Sequence, residues 1–331
     1  MNKKLRKALA MATVCTAVCG FSAVSQAASF QLSDEVKAPT AALMEASQIG
    51  VLSHETAALQ NLPDKDAILV MSFGTTFPET RAKNIDATVN AIKALHPDTK
   101  VVVAYTSHII IDRVQENEGI TIPTPEQALD ALKAEGYTRV AMTTLDVIPG
   151  IEYAYKKAVY NQYKDQFKKV TMGTPLMFWQ GQEDRADDVS EVMAAVSNEF
   201  PKLGKKDAVV LMAHGTPHQS NAYYSVMQAK LEALGHDKAL IFTVEGWPTI
   251  DEVIAQLHAK KVQNVLMMPL MMVAGDHASN DMAGDEEDSF KSMLLKEGFH
   301  VDIKLQGLGE NVAVQKIFVE RAEDAWKALQ D

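Results

Sequence analysis

The stretch Lys65-Asp66-Ala67-Ile68-Leu69-Val70-Met71-Ser72-Phe73-Gly74-Thr75 recurs almost residue for residue as Lys206-Asp207-Ala208-Val209-Val210-Leu211-Met212-Ala213-His214-Gly215-Thr216. The spacing far exceeds the periods of about 20–50 residues that build solenoids, so the repeat requires two similar lobes rather than an array. Each copy is a short, unbroken apolar run closed by a glycine, the pattern of a parallel strand covered on both faces. The copies differ at the strand end, where Phe73 in the first is replaced by His214 in the second.

The same alternation of apolar runs and helical patterns fills most of the chain. Strands are expected at Ala67–Ser72, Val101–Tyr105, Val140–Leu145 and Val170–Met172, and again at Ala208–Ala213, Ala239–Thr243, Val265–Pro269 and Val301–Leu305. Capping-box patterns at Thr76-Phe77-Pro78-Glu79, Thr124-Pro125-Glu126-Gln127 and Thr249-Ile250-Asp251-Glu252 predict helix starts. The segment from Val140 through Leu145 to Gly150 matches that from Val265 through Leu270 to Gly275. The expected fold is α/β, two doubly wound parallel-sheet lobes related by a pseudo-twofold repeat, with a cleft between them. The expected division is a signal peptide over 1–27, an N-terminal arm over 28–63 (a short helix or an extended segment), a first lobe over 64–200 and a second over 201–331.

The N-terminus constrains the compartment. Lys3, Lys4, Arg6 and Lys7 precede an apolar stretch from Ala8 to about Val24, and Ser25-Gln26-Ala27 supplies small residues before Ala28. That three-part pattern predicts a cleaved secretory signal and a periplasmic protein, with no membrane insertion after cleavage. Cleavage removes both cysteines, Cys15 and Cys19, so any metal must be held by His, Asp or Glu. It also makes the chain four charges more negative than its full-length net charge of −11, which argues against nucleic acid and anionic membranes as partners.

Ligands of parallel α/β sheets sit at the carboxyl ends of strands. In the first lobe those ends carry Phe73, His108 and Glu152, and the rough counterparts in the second are His214, Glu245 and His277. Two imidazoles and a carboxylate from three strand ends make a divalent-metal site with open positions, although each histidine taken alone reads equally well as a hydrogen-bonded structural group. The segment Gly275-Asp276-His277-Ala278-Ser279-Asn280-Asp281 adds polar groups beside it. The acids Glu286, Glu287 and Asp288 are expected in the first turn of the following helix. Met267, Met268, Met271 and Met272 read as core or as an apolar ligand wall. His218 reads as a substrate contact or a support for the site, and His54, His96, His236, His258 and His300 read as surface.

Five segments together resemble the anaerobic, class II cobalt chelatases of cobalamin synthesis, whose fold is related to that of ferrochelatase. They are Met71-Ser72-Phe73-Gly74-Thr75-Thr76, Ala104-Tyr105-Thr106-Ser107, Val147-Ile148-Pro149-Gly150-Ile151-Glu152-Tyr153, Met212-Ala213-His214-Gly215-Thr216, and the run from Ala274 to Asp285. The resemblance covers nearly all of the chain from about Asp66 to Trp326. It implies ATP-independent insertion of Co²⁺, with Fe²⁺ as a second metal, into sirohydrochlorin with loss of two pyrrole protons. It further implies His214 and His277 as metal-binding and catalytic histidines with Glu245 beside them, and no organic cofactor. Imidazole suits Co²⁺ and Fe²⁺ better than a carboxylate cage does. Phe73, Gly74, Thr75, His218 and Asp281 are the candidate substrate contacts, with Phe73, Met271 and Met272 as an apolar wall. Because the macrocycle is a polycarboxylate and the chain is acidic, local donors are expected to meet its acids, among them the backbone N–H groups after Gly74-Thr75 and Gly215-Thr216.

The chain departs from the family pattern where a histidine often precedes Val-Ile-Pro-Gly, since Asp146 stands there. The haem-associated histidine of some exported relatives has no counterpart in Ala154, Tyr155 or Lys156, so haem is not expected. Export also sets this chain apart from a cytoplasmic pathway. The alternative is a non-catalytic periplasmic carrier of a metal or a tetrapyrrole. A homo-oligomer is compatible with either.

Overall fold

The computed structural model describes residues 32–182 and 185–331, so the expected signal peptide over 1–27 lies outside the described residues. Among the described residues the strands form two sheets. The first contains β1 (Leu52–Glu55), β2 (Asp66–Ser72), β3 (Lys100–Tyr105), β4 (Arg139–Thr144) and β5 (Lys169–Met172) in the order β1-β5-β4-β2-β3. The second contains β6 (Asp207–Ala213), β7 (Ala239–Thr243), β8 (Asn264–Pro269) and β9 (His300–Ile303) in the order β7-β6-β8-β9. Reversed, the second order is β9-β8-β6-β7, which superimposes on β5-β4-β2-β3 and makes the repeat topological as well as sequential. All neighbours in these two sets are parallel.

Why the central strands are apolar throughout is visible in which way each residue faces. Ile68 and Val70 of β2 enter a core shared by both lobes, whereas Ala67, Leu69 and Met71 enter a second core on the outer face of the first sheet. In β6, Val209, Leu211 and Ala213 face the shared core, and Ala208, Val210 and Met212 face a third core outside the second sheet. With apolar layers on both sides, no position in either strand tolerates a polar group without a partner.

Strand β1 was not expected. It pairs antiparallel with β5, Leu52 opposite Met172, and turns part of the expected arm into the edge of the first sheet. Only Leu52 of Leu52-Ser53-His54-Glu55 is buried, so the segment lacks the continuous apolar signal of the parallel strands. Helix Ala41–Ala46 precedes it.

The lobes also exchange helices across the expected boundary near residue 200. Helix Asp188–Ser197 packs on helix Tyr223–Ala233 of the second lobe, and the C-terminal helix Val312–Gln330 returns to β4 and β5 of the first. Thr171 donates its hydroxyl to the Ala325 carbonyl at 2.7 Å, and the buried Arg321 guanidinium meets buried Asp188 at 2.9 Å. Such helix returns depend on tertiary packing and leave no local mark in sequence.

Three local expectations are corrected. Phe77, not Thr76, is the N-cap of helix Pro78–Arg81, and no side chain caps it, whereas the boxes at Thr124/Gln127 and Thr249/Glu252 form as read. Glu286, Glu287 and Asp288 precede helix Phe290–Lys296, whose N-cap is Ser289, so none occupies its first turn. His96 is buried rather than on the surface, tilted against Trp326 with a ring separation of 4.6 Å and 2.5 Å from a Glu323 carboxylate oxygen.

Candidate metal centre

Strand β6 ends at Ala213, and the chain then turns at Gly215 in the left-handed region, φ +86°. A Cβ there would lie 2.7 Å from both the Glu245 carbonyl carbon and the Gly246 nitrogen, so only glycine lets the turn after β6 approach the turn after β7. The first lobe repeats the device at Gly74, φ +97°, where a Cβ would strike the Tyr105 ring.

Beyond its last ladder pair, Ala213 with Thr243, the chain after β7 keeps running beside β6. Val244 donates its N–H to the Ala213 carbonyl at 3.0 Å and Glu245 to that of His214 at 2.8 Å. In the first lobe the equivalent donors are Thr106, to Ser72, and Ser107, to Phe73. The register therefore makes Ser107, not His108, the counterpart of Glu245. His108 instead opens helix His108–Glu118 and is exposed.

The third strand end repeats as well. Leu145 donates to the Met71 carbonyl and Leu270 to that of Met212, and Ala154 bonds to Gly150 as Ser279 bonds to Gly275. Glu152 and His277 thus occupy matched positions. Glu152 is held by the Thr106 hydroxyl at 2.8 Å, whereas His277 begins the π-helical turn His277–Met282. Single π turns of this kind recur at functional sites.

His214, Glu245 and His277 converge, each offering one ligand atom and all of these lying within 4.8 Å of one another. They are the one such group among the described residues. The two rings stand nearly perpendicular, 83° apart with centroids separated by 4.9 Å. His214 Nδ1 lies 2.9 Å from the Gly215 carbonyl and so carries the proton, which leaves Nε2 as a lone-pair donor. His277 Nδ1 lies 2.5 Å from Asp281 Oδ2, a carboxylate that demands the proton on Nδ1 and likewise frees Nε2. Two imidazole nitrogens and an exposed carboxylate suit a divalent first-row ion and leave further coordination positions open.

The remaining sequence candidates fall into two groups. Asp281 belongs to the centre as the partner that orients His277. Phe73 is 47% exposed at the end of β2, and Ile109, Ile151 and Trp247, which sequence reading did not single out, are 65%, 55% and 54% exposed after β3, β4 and β7. Each is an apolar side chain left in solvent just beyond a strand's carboxyl end, an informative departure from burial when several recur at one level.

Other candidates turn inward. Gly74 and Thr75 are buried, and the Thr75 hydroxyl accepts from the Phe77 N–H while facing Gly275 of the second lobe. His218 is outside the cluster and caps the turn Gln219–Ala222 by accepting from Ser220 N–H at 3.2 Å. Met267 and Met268 are core, and Met271 and Met272 pack against the cores rather than forming an open wall. Asp146 forms an ion pair with fully buried Lys156 at 2.5 Å and also accepts from the Thr144 hydroxyl. Of the backbone donors expected after the two glycine turns, Phe77 N–H bonds to Thr75 Oγ1 and His218 N–H to Thr216 Oγ1, while within the turns Gly74 N–H bonds to Ser72 Oγ, Gly215 N–H to the Tyr224 hydroxyl oxygen and Thr216 N–H to Asn221 Oδ1. No helix among the described residues is long and apolar enough to cross a membrane.

A family model described as Cobalt chelatase (CbiK) matches residues 66–327. The chain is 37% identical over 261 residues to the sirohydrochlorin cobaltochelatase of Salmonella typhimurium, covering 79% of this chain and 96% of that one. It is 32% identical over 278 residues to the sirohydrochlorin cobaltochelatase CbiKC of Nitratidesulfovibrio vulgaris, covering 82% and 95%. Among solved structures, SirB from Bacillus subtilis with Fe3+ aligns with a TM-score of 0.52 at 15% identity, over 79% of this chain and 95% of that one. The sirohydrochlorin chelatase SirB from Bacillus subtilis subspecies spizizenii in complex with cobalt aligns with a TM-score of 0.52 at 14% identity, over 80% and 96%. At those identities the structures speak to the fold.

Proposed function

Because the chain belongs to the cobalt chelatase family, we propose that it catalyses ATP-independent insertion of Co²⁺ into sirohydrochlorin with release of two protons. The observation that carries the reading is the convergence of His214, Glu245 and His277 at the carboxyl ends of the second sheet. Metal–ligand bonds of about 2.0–2.2 Å place opposite ligands little more than 4 Å apart, so small side-chain movements close this set on one ion. With only three protein ligands the ion stays accessible to the incoming pyrrole nitrogens. As the metal passes to the macrocycle, the freed Nε2 atoms and the Glu245 carboxylate are the bases nearest the displaced protons. Phe73, Ile109, Ile151 and Trp247 supply apolar surface for the macrocycle's face.

The carrier reading is not favoured, since the two relatives described above bear the chelatase name. Fe²⁺ is proposed as a second metal on the softness of the donor set alone. We also propose that the protein works in the periplasm, supported by the basic start, the apolar stretch and the small residues ending at Ala27. A mature N-terminus at or near Ala28 in the exported protein is the expected result, and one at Met1 rejects it.

The activity is tested by mixing purified mature protein with sirohydrochlorin and Co²⁺, Fe²⁺ or Ni²⁺ and following the visible absorbance. Conversion with Co²⁺ well above the protein-free rate is expected. Tight tetrapyrrole binding with no acceleration for any metal rejects the enzyme.

A further inference from the structure

We propose that Asn221 is a positioning residue for metal capture, setting the spacing of His214 and Glu245 by clamping the two turns that carry them. The inference rests on the reading of His214, Glu245 and His277 as the metal ligands. Asn221 lies in the short 3-10 turn Gln219–Ala222, outside the ligand set and outside the strands.

Its amide spends both ends on the site's framework. Oδ1 accepts from the Thr216 N–H at 3.2 Å, two residues beyond His214, and Nδ2 donates to the Trp247 carbonyl at 2.7 Å, two residues beyond Glu245. The orientation of the amide is fixed by these partners, because a flip would set NH₂ against N–H and oxygen against carbonyl. The packing around it is equally close. A Cβ on Gly246 would lie 2.4 Å from Asn221 Oδ1 and 3.1 Å from Gly215 Cα, so the amide fills a gap that two glycines open.

The need for such a clamp follows from the sheet. Beyond the Ala213–Thr243 pair the two chains are joined by two further backbone bonds, Val244 N–H to the Ala213 carbonyl and Glu245 N–H to the His214 carbonyl, both on the near side of the ligands. Metal ligands carried on separate turns must hold their spacing to a few tenths of an ångström, which bonds on one side alone do not secure. Asn221 closes the loop on the far side of both ligands. It also completes a chain of support for the His214 ring, since the Gly215 carbonyl facing the ring belongs to the same peptide group as the Thr216 N–H bonded to Asn221, and the preceding Gly215 N–H bonds to the Tyr224 hydroxyl oxygen.

The test compares wild type, Asn221→Ala and Gly246→Ala, with His214→Ala as the reference for loss of a ligand. Co²⁺ affinity is measured by competition with a chromophoric chelator, the Co²⁺ ligand-field spectrum is recorded at saturation, and thermal unfolding is followed without metal. Asn221→Ala is expected to weaken Co²⁺ binding by about 10–100-fold, the range for partners that orient metal ligands, and to alter the ligand-field bands. Gly246→Ala keeps the amide but displaces it and should act in the same direction, which secures the test if Asn221→Ala does not fold. A variant that unfolds at lower temperature yet binds Co²⁺ with wild-type affinity and spectrum overturns the inference, leaving Asn221 a purely structural residue. A wild type that takes up no Co²⁺ overturns the metal centre itself, and the inference with it.

Discussion

His277 and Asp281 stand one turn apart on the same π-helical segment, with Nδ1 of the first 2.5 Å from Oδ2 of the second. The contact favours the proton on Nδ1 of His277 and leaves its other nitrogen as a lone-pair donor. Asp281→Asn keeps the size of the side chain but removes the charge that holds the proton on Nδ1. Co²⁺ affinity is expected to fall by about 10–100-fold, read by competition titration, with little change in thermal stability because both groups are partly exposed.

Loss of either histidine separates chemistry from macrocycle binding. His214→Ala and His277→Ala should each lower the rate of Co²⁺ insertion by at least about 10²–10⁴-fold, since a ligand and a base disappear together. Sirohydrochlorin binding, followed by its own absorbance or fluorescence, should persist on the exposed apolar residues. His108→Ala, exposed in the first lobe and outside the cluster, should retain most activity. Equal losses in all three variants would contradict this assignment.

Two glycines of nearly the same conformation give a cleaner contrast. Gly215 and Gly235 have φ of +86° and +87°, but a Cβ on Gly215 meets the Glu245 backbone whereas one on Gly235 meets nothing within 4 Å. Gly235→Ala should cost about 1–2 kcal/mol of stability from backbone strain and leave metal affinity intact. Gly215→Ala should cost more and also weaken Co²⁺ binding, because relieving the clash moves Glu245. Calorimetric unfolding and Co²⁺ titration of both variants check this.

Acid sensitivity has an identifiable contributor. Burial pushes the Asp66 carboxyl up, but the Arg139 guanidinium and the Gln330 amide outweigh it and hold the group below its ordinary value of 3.8. A carboxylate depressed in the folded state adds stability that is complete above the unfolded value and is lost as pH falls through the folded one. The melting temperature of wild type should therefore drop on acidification below that ordinary value, and Asp66→Asn should flatten this part of the profile while lowering stability near neutrality. Parallel profiles for the two proteins would discount the Asp66–Arg139 pair.

Much of the architecture was legible because its signals are local. Eight of the strands overlap the short runs read as strands in the sequence, and the repeat foretold two similar lobes. The strand missed, β1, has a single buried side chain in four, and an edge strand with one apolar residue is indistinguishable in sequence from a loop. The matching of lobes was legible only in part. Backbone pairing assigns Ser107 rather than His108 to the position of Glu245, a shift of one residue that no residue pattern reveals.

What the sequence determined by itself was the two-lobed α/β plan, the family, and the identity of three ligand-type side chains at strand ends, because strand propensity, burial and motif all reside in short contiguous segments. Only the tertiary structure decided that those three meet, that Asp281 and the backbone carbonyl of Gly215 set their tautomers, and that Asn221 ties two of their turns together. It also decided that Phe77 and His218, among the backbone donors expected for substrate, bond within their own turns, and that the last helix returns to the first lobe. The physical reason is common to all of these. Each depends on a distance between residues far apart along the chain, and such distances are fixed by how the sheets and helices pack, which a linear pattern of residue types does not encode.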